Sequence, residues 1–92
     1  MAYYFDPHPA AMVDMDMLAR ELSVMASEAR REKTLTAEQI AAIEAAHAAA
    51  QTRDEAAVIR NLRKVVTVAA GLARQVGAPV VTAFIDARFG LK

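Results

Sequence analysis

The chain has 92 residues, with 11 Lys and Arg balanced by 11 Asp and Glu, and neither Cys nor Trp. Zero Cys excludes a disulfide scaffold, a thiolate metal site and a cysteine nucleophile, and neutrality removes the simplest electrostatic reason to bind nucleic acid. Three Gly and three Pro among 55% apolar residues argue against a disordered chain.

Of the apolar residues 22 are Ala, which leaves 29 large apolar side chains for the core. So few large side chains leave a domain of this size thinly covered. A second copy or a partner would supply the missing burial. Eight Arg against three Lys, together with the Ala content, is the usage of a GC-rich bacterial genome. No basic segment followed by a long apolar stretch opens the sequence, so a cytoplasmic protein is expected.

Residues 1–8 read as an apolar arm carrying Tyr3, Tyr4 and Phe5, and residues 9–92 as a single helical domain. Pro9 suits a first helical position, where a missing N–H costs nothing. Met12, Met15, Leu18, Leu22, Met25 and Ala29 then recur at spacings of three and four, and predict an amphipathic helix over residues 9–33. Asp16 and Arg20 are placed for an i,i+4 ion pair on it. Thr36 and Gln39 form a capping box that starts a second helix, running to about Gln51 along a seam of Ile40, Ile43, His47 and Ala50.

Thr52 to Glu55 reads as a second capping box. It opens a third helix over residues 53–76, with Ile59, Leu62, Val66, Ala69, Ala73 and Val76 facing inward. One helix running straight from 37 to 76 is the competing pattern; it would put Asp54 and Asn61 in the core. Gly77 supplies a left-handed stop and Pro79 a restart. Val80, Val81, Phe84, Ile85 and Phe89 then make a short fourth helix ending at Gly90. No alternating strand pattern of useful length occurs. The expected fold is all-α: a small Ala-rich bundle of three long or medium helices plus a short C-terminal one.

Chemistry is sparse. His8 and His47 are far apart in sequence, and Ser23 and Ser27 sit mid-helix without a nucleophile-elbow signal. No catalytic residue, cofactor or metal site is expected. Asp6, His8, Asp14 and Asp16 match no metal-loop spacing, and Asp14 and Asp16 point about 200° apart on a helix. His47 lies on the apolar seam of the second helix, where a core position sensitive to pH is expected.

Charge is unevenly spread. Residues 1–50 hold eight acids and four bases, and residues 51–92 three acids and seven bases. Arg60, Arg63, Lys64 and Arg74 form a basic set on the third helix that suits anion contact. A solvated face answering the acidic half is the simpler reading, so nucleic acid is not the expected partner. The apolar run 65–85 carries Arg74 near its middle, with Gly77 and Pro79 close behind. A central Arg costs roughly 2.5–3.5 kcal/mol on insertion, so a membrane span is not expected either.

Ala69, Ala73 and Gly77 make a small-residue row that permits close helix approach. The helix–Gly–apolar helix–Gly ending of the last 40 residues resembles the tails of small bacterial proteins, some linked to defence loci. It brings no motif that would transfer a functional residue.

A non-enzymatic helical interaction or self-association module is therefore expected, as a homo-oligomer, most simply a dimer, or with a helical protein partner. Its contact residues are drawn from Tyr3, Tyr4, Phe5, Met12, Met15, Val81, Phe84 and Phe89. The alternatives are a nucleic-acid-associated regulator using the basic face of residues 53–74, and a membrane-active or defence-associated small effector using residues 65–85.

Overall fold

The computed structural model describes residues 14–90 as five helices: α1 (Met15–Arg31), α2 (Ala37–Gln51), α3 (Glu55–Arg63), α4 (Val66–Val76) and α5 (Pro79–Phe89). No strand occurs among the described residues. The arm over residues 1–8 and the expected helix start over residues 9–13 lie outside them. The all-α class follows. The division into three helices and a short fourth does not, because the third expected helix is two.

α1 is the spine. It packs on α2 along one side and on α4 and α5 along the other, while α2 pairs with α3 and α4 with α5. Its first turn is capped by Asp14, whose Oδ1 accepts from the N–H groups of Asp16 and Met17. Leu18, Leu22, Met25, Ala26 and Ala29 form its buried stripe, as the spacing predicts. Asp16 pairs across the fold with Arg53 at 2.9 Å, in place of the expected bond to Arg20.

The capping box at α2 is present in both halves: Thr36 Oγ1 accepts from the Gln39 N–H, and Gln39 Oε1 accepts from the Thr36 N–H. The buried face of α2 is Ala42, Ile43, Ala46, Ala49 and Ala50. That face is rotated from the expected seam, and it leaves Ile40 and His47 half-buried. The rotation has a steric reason. α2 is pressed between α1 and α3, and two helices close in most tightly where Ala lines both contacts.

The α2–α3 corner corrects the second capping box. α2 ends in a Schellman turn, with Asp54 N–H bonded to Ala49 O and Arg53 N–H to Ala50 O. Arg53 sits at φ 60°, where glycine is usual. Thr52 therefore closes α2, its hydroxyl donating to Ala49 O. The N-cap of α3 is Asp54, whose Oδ1 accepts from Ala57 N–H at 3.0 Å. A single helix from 37 to 76 is excluded by the same turn.

α3 and α4 separate at Lys64–Val65, where Val65 adopts φ −139° and ψ 34°. The chain then turns so that Ala69, Ala70, Leu72 and Ala73 are buried on α4, and Val81, Phe84 and Ile85 on α5. Gly77 at φ 71° ends α4 and Pro79 opens α5. The buried residues of α4 and α5 join one continuous core with Leu18, Leu22, Met25, Ile43, Val58 and Leu62, and no polar or charged residue among the described ones is buried.

Candidate interaction surface

Among the described residues, three polar links fasten the α4–α5 hairpin to the rest. Val81 N–H, in the first turn of α5, donates to Glu21 Oε1 on α1 at 2.9 Å. Gln75 Nε2 donates to Glu28 and Glu32 at 3.0 and 3.2 Å. Arg88 pairs with Glu55 on α3 and lies over the Phe84 ring, 5.3 Å from its centroid. The first link does structural work that no local residue does, because Ala78 at the N-cap of α5 offers no side-chain acceptor. A carboxylate on α1 caps a helix 60 positions away.

The outer side of α1 is different. Met17, Arg20, Val24, Ser27 and Arg31 are all exposed along one strip, at the i, i+3, i+7 spacing of a helix face. Val24 is 51% exposed and Met17 36%, and these are the two large apolar side chains left exposed among the described residues. Beside the strip runs an open groove of about 620 Å³ between α1 and α2, lined by Asp16, Ala19, Arg20, Val24, His47 and Gln51. A second open groove, of about 740 Å³, lies between the start of α2 and the α3–α4 junction, with Gln39, Ala42, Asn61, Lys64 and Val65 on its walls.

Several expected site residues fall elsewhere. Tyr3, Tyr4, Phe5 and Met12 lie outside the described residues. Val81 and Phe84 are core residues, 0% and 1% exposed. The α4–α5 hairpin folds them onto α1 of the same chain. Met15 and Phe89 are half-buried against the same core. His47 is not a core residue: it is half-buried on the wall of the α1–α2 groove.

Arg60, Arg63, Lys64 and Arg74 are all exposed. The break at Val65 interrupts the helix that was expected to align them, and Arg74 lines a separate recess with Gly77, Pro79, Thr82 and Asp86. Ser23 lies in the α1–α2 groove with His47, and Ser27 on the outer strip. Asp14 is engaged in capping and Asp16 in an ion pair. Among the described residues no group of three or more His, Asp and Glu is placed to hold a metal ion.

Compared with known proteins, the chain matches no family model, no curated protein and no solved structure. The run 65–85 is divided at Gly77–Ala78, and no helix among the described residues is long and apolar enough to cross a membrane.

Two features of the surface escape sequence periodicity. Val24 is a lone β-branched residue on the polar side of an otherwise regular amphipathic helix, and that misplacement is the available signal. Glu21 carries no such signal, because its partner is a backbone N–H brought to it by the fold.

Proposed function

We propose that this chain is a non-enzymatic helical association module that pairs with a second copy of itself through the outer strip of α1. The observation that carries the reading is the exposure of Val24 and Met17, seven positions apart on one helix face. Charge favours a second copy over an unrelated occupant. Asp14 caps α1 and Asp16, also paired with Arg53, stands in its first turn, while its last turn carries Arg30, also paired with Glu44, and Arg31 on the strip itself. Two antiparallel α1 helices related by a two-fold axis near Val24 set each acidic start beside the partner's basic end, whereas parallel pairing stacks like charges. A bacterial setting, and within it the cytoplasm, goes with this reading; the Ala-rich, Arg-over-Lys usage supports the first.

Sedimentation velocity over a range of micromolar concentrations tests it. The expected result is a monomer–dimer equilibrium that Val24→Asp weakens at least tenfold without altering the helical circular dichroism. A monomeric mass up to high micromolar concentration overturns the reading. So does a dimer indifferent to Val24→Asp and to Met17→Asp.

A further inference from the structure

The apolar spacing of residues 55–76 does not notice the break in the middle of it. Ile59, Leu62, Val66, Ala69, Ala73 and Val76 follow one another at alternating steps of three and four, the period of an uninterrupted helix. No Gly or Pro stands between Glu55 and Ala70 to require a stop. Yet the backbone stops: Lys64 and Val65 bond back by three residues, to Asn61 O and Leu62 O, and the next helical bond runs from Ala69 N–H to Val65 O. The N–H groups of Val66, Thr67 and Val68 open α4 with no side chain capping them. A straight helix would give those three donors the carbonyls of Leu62, Arg63 and Lys64.

What holds the turn in place is therefore tertiary. α3 and α4 scarcely touch each other, whereas α4 and α5 both pack on α1. The three polar links of the hairpin, to Glu21, to Glu28 and Glu32, and to Glu55, all reach residues that precede the break. Lys64 and Val65 also line the open 740 Å³ groove, so one side of the junction is clear. Straightening the junction detaches α4–α5 as a unit and strips Leu72, Val81, Phe84 and Ile85 of their cover. That apolar face then needs an α1, and a second copy presents the same surface, with the Glu21 and the Glu28–Glu32 acceptors on its α1 and Glu55 on its α3.

We infer that Lys64–Val65 is an exchange hinge, at which α3 and α4 fuse into one helix and the α4–α5 hairpin passes onto α1 of a second copy. The exchanged dimer repeats the contacts of the closed chain outside the hinge, now between chains, and replaces the turn at Lys64–Val65 with the backbone bonds it forgoes. Protein concentration sets the balance, because the closed form is intramolecular and the exchanged one is not. This route is independent of the α1 strip and uses none of its residues.

The absence of Cys makes a direct test simple. Chains carrying Glu28→Cys are unfolded and refolded at high micromolar concentration with differently tagged chains carrying Gln75→Cys, then treated with a short bis-maleimide. The side chains at these positions touch in the closed fold, so a chain bearing both substitutions shows that the linker reaches. Exchange gives a covalent product joining the two tags through positions 28 and 75. Val66→Pro supplies the hinge control: at the first position of α4 it removes an N–H that has no intrahelical partner and asks only that Val65 rotate from ψ 34°, but inside a fused helix it removes a bond and collides with Leu62 O. It is expected to lower the inter-chain product about a hundredfold. A dimer that gives no 28–75 product between chains overturns the exchange and leaves pairing through α1 standing. A product unaffected by Val66→Pro overturns the hinge assignment. A monomer at every concentration overturns both.

Discussion

Removing the Glu21 carboxylate tests whether α5 is capped from α1. In Glu21→Ala the N–H of Val81 loses its 2.9 Å acceptor, and nothing local replaces it, since Ala78 provides no side-chain cap and Pro79 has no N–H to donate. Loss of an N-cap costs about 0.5–2 kcal/mol. A charged acceptor at a helix start carries a further 0.3–1 kcal/mol of dipole interaction at low salt. Two facts set the value within that span. Val81 is 0% exposed, so water cannot fully take over from the carboxylate; Glu21 itself is half-buried, so its charge is partly screened. The expected destabilisation is about 1.5 kcal/mol, or roughly 6–12 °C in Tm for a domain of this size. Glu21→Gln keeps an acceptor oxygen and should lose less than half as much. Urea unfolding followed by circular dichroism at 222 nm is the assay, with Ser23→Ala on the exposed side of α1 as a control expected within ~0.5 kcal/mol of the parent. A Glu21→Ala chain as stable as the control refutes the cross-helix cap.

The corner between α2 and α3 separates two capping assignments: Asp54→Ala should cost about 0.5–2 kcal/mol, and Thr52→Ala, whose hydroxyl only returns to Ala49 O, less than ~0.5 kcal/mol in the same urea titration. The glycines of α4 should respond with opposite signs. Gly77→Ala forces a Cβ into φ 71° and should destabilise by about 1–2 kcal/mol, whereas Gly71→Ala, mid-helix with open space around it, should stabilise by about 0.5–1 kcal/mol, both read from thermal melts.

Sequence alone determined the elements whose causes are local. The all-α class follows from periodicity, because an apolar stripe at three and four residues can be buried only as a helix. The α1 stripe, the Thr36–Gln39 box, the Gly77 stop and the Pro79 restart are each set by residues within a turn of one another, and the structure has them where the spacing put them. Tertiary structure decided the rest. The period through residues 55–76 permits a straight helix, and the chain turns at Val65 because α1 offers burial for Leu72, Val81, Phe84 and Ile85 that a straight continuation would leave in water. The same burial takes Val81 and Phe84 off the surface. The near-uniform Ala content of α2 left its facing undetermined by pattern, so the packing of α1 and α3 chose it and turned His47 toward the groove. Glu21, silent in the sequence, became a helix cap for the same reason: its partner is a backbone group that only the folded chain delivers.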